Sequence, residues 1–322
     1  MKRNNVREIE TNSRLNLEIQ ALHFPDRITV ELTNHCNLEC VMCPREHMTG
    51  SKGYMEVALF RKIVDEMVSF GRTALVPFFR GETLLHPRWI EMLGYAKERG
   101  IGPIQFATNA TLMSEKAARA LLDLELDFVS FSLDSIDPDI YRTVRRGAEL
   151  EVVLRNIEVF CDLKKRRKID KPEIQVSVVR TENTASGVED FVAYWSNRVD
   201  RVRVYEQHSR DGRFGSLKKE SGSESCETRT PCFKPFRDMV IYWNGRVALC
   251  NHDWDRIRPL GDVNVESMER IWRGDAYRRV RKAHIDNGDG LDQPCSGCDH
   301  WRTFSEPERK VGELFERMTE RG

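Results

Sequence analysis

Through residue 206 the chain alternates two kinds of hydrophobic pattern. Short runs rich in valine, isoleucine and phenylalanine occur at 28–32 (ITVEL), 74–79 (ALVPFF), 104–108 (IQFAT), 128–133 (FVSFSL), 174–179 (IQVSVV) and 201–205 (RVRVY). Between them lie stretches such as 57–70, 115–125 and 149–165, whose apolar residues return at spacings of three and four. The first pattern marks a buried strand, the second an amphipathic helix. Strands that alternate with helices are joined by right-handed crossovers, which makes the sheet parallel and puts the helices outside it. Six such units are too few to close an eight-stranded barrel, so the pattern predicts a partial (β/α)6 barrel.

Beyond that point the rhythm changes. Residues 209–230 are rich in glycine, serine and charge and read as a linker or loop. DMVIYWNGRVALC then places two apolar runs around Asn244-Gly245, a strong hairpin signal. One helix is predicted at about 266–285, then a cysteine-rich segment and a charged surface helix. The expected organisation is an N-terminal extension (1–27), the barrel (28–208), the loop (209–230), a small α+β cysteine-rich domain (231–305) and a C-terminal helix (306–322).

Composition narrows the partners. The 322 residues carry 51 lysines and arginines against 51 aspartates and glutamates, which gives no reason to expect nucleic acid or an anionic membrane. The basic run at 164–167 ends a helical pattern, where cations suit the helix dipole. The chain opens without a signal-peptide core and has no run of 18 apolar residues, so it reads as cytoplasmic. Thiols stay reduced in that compartment, where clustered cysteines hold metal more often than they form disulfides.

Seven of nine cysteines fall into two groups: Cys36, Cys40 and Cys43, and Cys232, Cys250, Cys295 and Cys298. The first group, Cys-x3-Cys-x2-Cys, directly follows the first predicted strand, where a barrel collects its active site. A four-iron cluster needs one ligand per iron, so three thiolates leave one iron open to another ligand. The alternative is a zinc ion with His35 or His47 as fourth ligand. The second group has four thiols, which satisfy either a structural zinc or a fully ligated iron–sulfur cluster.

The three-cysteine loop resembles the signature of the radical S-adenosylmethionine (SAM) enzymes, whose partial barrel agrees with the six βα units. The resemblance implies that the open iron of a [4Fe–4S] cluster chelates the amino and carboxylate groups of SAM. One electron then yields a 5′-deoxyadenosyl radical that removes hydrogen from an unactivated carbon. It also implies cofactor contacts. Gly81 and Glu82 match the family's Gly-Gly-Glu stretch, which hydrogen-bonds the SAM ammonium, with Arg80 in place of the first glycine. Asn109 matches the Thr-Asn-Gly turn, with Ala110 where glycine is usual. Ser132 and Asp134 are expected near the ribose, Arg145 near the carboxylate and Met42 near adenine. Asp134 alternatively caps the next helix.

The second cysteine group resembles the SPASM extension of this family and its shorter form, Twitch, in the pattern of the 2-deoxy-scyllo-inosamine dehydrogenases. The resemblance implies an auxiliary [4Fe–4S] cluster held by cysteine alone. Oxidation of a secondary alcohol on a sugar- or cyclitol-like molecule needs a radical generator, an electron sink and a base, with an external donor such as flavodoxin or ferredoxin. Glu206, His208 and Arg80 are the candidate bases. Epimerisation would need a thiol hydrogen donor, for which Cys226 is the candidate, and modification of a ribosomally made precursor peptide is a third reading.

Overall fold

Each predicted barrel strand forms, displaced by a few residues at most: β1 (Arg27–Val30), β2 (Ala74–Val76), β3 (Gln105–Thr108), β4 (Phe128–Ser132), β5 (Glu173–Arg180) and β6 (Arg201–Glu206). The structure is a computed structural model, and it describes residues 23–304 apart from 49, 72, 208–228, 255–258 and 287. β2 stops at Val76 because Pro77 has no N–H for a ladder. The intervening helices are α1 (Val57–Phe70), α2 (Trp89–Glu98), α3 (Glu115–Asp123), α4 (Pro138–Val144), α5 (Leu150–Arg167) and α6 (Val188–Trp195). β1 pairs in parallel with β2, and β3 through β6 pair in sequence order, also in parallel. The Leu75–Ile104 bridge joins the two runs, giving a partial barrel.

The two faces of the wall differ. Val129, Phe131, Ile174, Val176 and Val178 are buried on the helix side, where Phe131 meets Phe160 of α5 edge-on at 5.4 Å. Burying each such side chain contributes about 1.5–3 kcal/mol. The alternate positions Ser130, Ser132, Gln175 and Ser177 face the lumen, and Gln175 Nε2 donates to Ser130 Oγ at 2.9 Å. A polar lumen leaves hydrogen-bonding groups for a ligand at the C-terminal ends of the strands.

The hairpin forms as β7 (Asp238–Ile241) and β8 (Arg246–Ala248), with Gly245 at φ +88° in its turn, and β9 (Gly261–Asp262) adds to β8. Its setting goes beyond the sequence reading. β7 lies parallel to β1, from Arg27 beside Asp238 to Val30 beside Ile241, so the cysteine-rich segment continues the barrel sheet. Met239, Ile241, Val247 and Met268 belong to the same apolar core as the barrel residues. Arg27 Nη2 and Asp238 Oδ2 lock the first register at 2.6 Å. Burial pushes the Asp238 carboxyl up, but Arg27 and Lys234 outweigh it and hold it below its usual range.

The helix predicted at 266–285 is two helices. α7 (Lys234–Arg237) precedes the hairpin, while α8 (Met268–Trp272) and α9 (Asp275–Ile285) are separated at Gly274, which takes the extended backbone of an N-cap. Ser267 caps α8 by accepting from the Arg270 N–H at 3.2 Å. No described helix is long and apolar enough to cross a membrane.

Candidate metal centres and cofactor site

The loop after β1 is held from both sides. The Asn34 side chain bridges Ser51 O at 3.1 Å and Gly53 N at 2.8 Å, and Thr33 Oγ1 donates to Gly53 O at 2.8 Å. On the far side Glu39 N donates to Arg146 O at 3.0 Å and Val41 N to Val144 O at 3.1 Å. Arg45 reaches back to the Asn34 carbonyl. Cys36, Cys40 and Cys43 ride on this frame as partly exposed thiols, and Cys43 N closes a turn onto Cys40 O at 3.0 Å. Burial pushes the Cys36 thiol up, against the backbone N–H of Leu38, which favours the thiolate. His35, the alternative zinc ligand, stacks on Tyr54 with ring centres 4.6 Å apart.

Residues from four separate loops converge on this frame. Asn109 Nδ2 lies 4.0 Å from Cys36 Sγ and donates to Asn37 Oδ1 at 3.1 Å. Arg145 Nη1 lies 3.7 Å from Cys40 Sγ, while its Nε donates to Asp134 Oδ2 at 2.6 Å. The other Asp134 oxygen accepts from Val179 N at 2.7 Å. Burial lowers the Arg145 pKa, but the Asp134 and Cys40 anions outweigh it and raise it overall. Asp134 does not cap the next helix; Asp137 does, accepting from Asp139 N and Ile140 N at 2.9 Å each. Ser132 ends β4 on the lumen face, and Met42 is half-buried in the cysteine loop.

Glu82 is almost wholly buried. It accepts from Thr108 Oγ1 at 2.9 Å, Asn109 N at 2.8 Å and Leu84 N at 3.1 Å. Burial pushes its carboxyl above the usual range, and those three donors restrain the rise. Gly81 is required by close approach: a Cβ there would lie 2.2 Å from Thr33 O and 2.6 Å from His35 O. Both carbonyls belong to the cysteine loop, and Glu82 N donates to His35 O at 2.8 Å. Ala110 follows with φ +62°, a left-handed backbone that explains why related turns use glycine.

The candidate bases are placed differently from one another. Glu206 ends β6 at the exposed rim and pairs with Arg180 at 3.1 Å. Arg80 is fully buried, bound at both ends of the Glu31 carboxylate at 2.6 and 2.7 Å, with Nη1 donating to Trp254 O at 2.9 Å. Its guanidinium also lies over the Tyr242 ring, 4.2 Å from the centroid. Nε, Nη1 and Nη2 are thus all engaged within the fold. His208 and Cys226 lie outside the described residues.

The second group of thiols shares one small, partly open cavity, lined by Cys232, Cys250, Cys295 and Cys298 together with His252, His284 and Arg229. His252 N donates to Cys250 Sγ at 3.3 Å and His300 N to Cys298 Sγ at 3.4 Å. Burial pushes Cys295 up to about 12 and Cys298 to about 11, and in both the neighbouring Cys232 thiolate adds to the rise. Cys250 is driven well above its ordinary value by burial and by Cys295. Four thiols that resist ionisation because they are buried, three of them also because of a neighbouring thiolate, suit a cationic centre, which removes that penalty.

The family profile described as the radical SAM superfamily matches residues 30–172, and that of the SPASM iron–sulfur cluster-binding domain matches residues 232–299. A Pyrococcus furiosus protein named as the tungsten-containing aldehyde ferredoxin oxidoreductase cofactor-modifying protein is 31% identical over 293 residues, spanning 78% of this chain and 82% of that one. The chain belongs to the radical SAM superfamily. Among solved structures, BtrN in complex with AdoMet and 2-DOIA superposes with a TM-score of 0.59 at 17% identity, covering 86% of this chain and 93% of that one. SuiB of Streptococcus suis bound to its precursor peptide SuiA gives 0.63 at 13% identity, covering 89% and 73%. These likenesses establish the fold.

The radical SAM domain binds SAM and a [4Fe–4S] cluster, and the SPASM domain binds an auxiliary iron–sulfur centre. Both donor sets fit in their chemistry: three thiols on a braced loop with a buried carboxylate and guanidinium nearby, and four thiols lining one cavity. Among the described residues no three such side chains are already drawn together at metal-binding spacing. Sequence reasoning missed Thr108, Arg229 and His284. For His284 a signal existed, because Tyr277, Arg281 and His284 fall at helical spacing on one buried face of α9.

Proposed function

We propose that this radical SAM enzyme oxidises a secondary alcohol of a small polar molecule by two electrons, with the auxiliary centre as the electron acceptor. The observation that carries this reading is that four thiols line one cavity: ligation by all four would leave no place for substrate on the metal and would suit the centre to electron transfer. Reduced cluster and SAM supply, when bound, the 5′-deoxyadenosyl radical. The substrate carbinol C–H bond breaks, its hydrogen completing 5′-deoxyadenosine. Loss of the hydroxyl proton to a base and of one electron to the auxiliary centre then makes the carbonyl. Flavodoxin or ferredoxin is the proposed donor of the initiating electron.

Within this scheme Glu82 holds the SAM ammonium, Arg145 and Asn109 orient its methionine end beside Cys40 and Cys36, and Ser132, Asp134 and Met42 serve the nucleoside. Of the candidate bases Glu206 is the described one with an exposed carboxylate, at the end of β6 in register with Arg180 on the face that Val178 shares, and Arg80 is assigned a structural role. A cytoplasmic enzyme with a sugar- or cyclitol-like substrate fits this reading. The likeness to the P. furiosus protein favours a second reading, in which the alcohol belongs to an organic or metal-bearing cofactor.

The test uses candidate alcohols carrying deuterium at the carbinol carbon. Deuterium recovered in 5′-deoxyadenosine together with one ketone per nucleoside supports oxidation. Return of an alcohol of inverted configuration, labelled from D2O, would replace the oxidation with epimerisation.

A further inference from the structure

Two side chains in the wall of the auxiliary cavity carry buried nitrogens that have no hydrogen-bond partner among the described residues: both ring nitrogens of His284 and Nε of Arg229. His284 is 2% exposed. A buried donor without a partner costs about 1–3 kcal/mol, because it gives up water and gains nothing. The cost is offset when the cavity's occupant accepts the bond. Much of the remaining lining, Pro235, Leu249 and Pro294, has no side-chain acceptor to offer. Arg229 is fixed at the wall, with Nη2 donating to Cys295 O at 2.7 Å and its guanidinium over the Trp301 ring.

We propose that His284, together with Arg229, donates a hydrogen bond to sulfur of the auxiliary iron–sulfur centre and raises its reduction potential. The backbone N–H groups of His252 and His300 already serve two of the thiolates. Side-chain donors extend the same effect. One-electron reduction adds negative charge that spreads over the sulfurs, and N–H groups aimed at them favour the reduced state. His284 and Arg229 are thus positioning residues for the electron-accepting step: the electron comes from the substrate radical, and the proton leaves to the base. The functional meaning rests on the oxidation proposed above, whereas the potential itself is read without substrate.

The test is an anaerobic redox titration of the reconstituted full chain, followed by electron paramagnetic resonance. It compares wild type, His284→Phe, His284→Gln and Arg229→Met. In His284→Phe the auxiliary midpoint moves to more negative potential by at least the equivalent of a tenfold change in the reduction equilibrium, about 59 mV for one electron. The midpoint of the three-cysteine cluster stays in place. His284→Gln, which keeps an N–H donor, recovers part of the shift, and Arg229→Met moves the midpoint in the same direction as His284→Phe. An unchanged auxiliary midpoint in iron-replete His284→Phe overturns the proposal. So does loss of the auxiliary irons from the Phe and Gln variants alike, which would mark a ligand or packing role. A product found to be an epimer would refute the oxidation and leave this result standing.

Discussion

Glu82 and Gly81 act on neighbouring bonds of the same turn. The carboxylate is buried among three donors, so it is fixed in place before a cofactor arrives. A charge-assisted hydrogen bond contributes about 1.5–3 kcal/mol. Glu82→Gln therefore weakens SAM binding roughly 10- to 100-fold, measured as KM or Kd for SAM, with a smaller effect on kcat. A tenfold loss in kcat with unchanged KM would mean that Glu82 acts in the chemistry instead. Gly81→Ala drives a methyl against Thr33 O and His35 O and must push the cysteine loop away. Displacing a catalytic frame by ~1 Å costs on the order of 100-fold, so 5′-deoxyadenosine formation falls by about that factor. Unimpaired formation would show that this close approach does not position the site.

Among the elements, β7 is what makes one body of two cysteine groups. It extends the parallel wall at β1, and Arg80 ties the same region together from the side. Its backbone carbonyl accepts from Arg45 in the first cysteine loop, while its side chain holds Glu31 after β1 and Trp254 beyond Cys250. Removing the guanidinium leaves Glu31 buried without compensation, so Arg80→Met destabilises by about 3–5 kcal/mol in denaturant unfolding followed by circular dichroism. Arg80→Met combined with Glu31→Gln recovers part of that loss, and additive losses would argue against the pair. The barrel strands were legible because each buried run is bounded by polar turns. The β7–β1 pairing was not, since the match between segments 211 residues apart depends on tertiary packing that local pattern does not encode. The break at Gly274 was hidden by apolar spacing that continues across it. Of the site, the cysteines, Glu82 and Asn109 were readable as motif. Arg80 was misleading, because only the structure reveals that its side chain turns away from the loop its backbone supports.

For the whole molecule, the arrangement predicts two metal centres joined by one sheet and core. The anaerobically purified chain should hold about eight irons, and Cys250→Ala about four. Equal iron in both would mean that the second thiol group does not carry a cluster. The measurement that bears most directly on the account is release of 5′-deoxyadenosine from SAM by the chemically reduced protein, compared in wild type, Cys40→Ala and Cys250→Ala. Wild type and Cys250→Ala should both release the nucleoside, and Cys40→Ala should release none. Release that persists without Cys40, or that is absent from the wild-type protein, would contradict it.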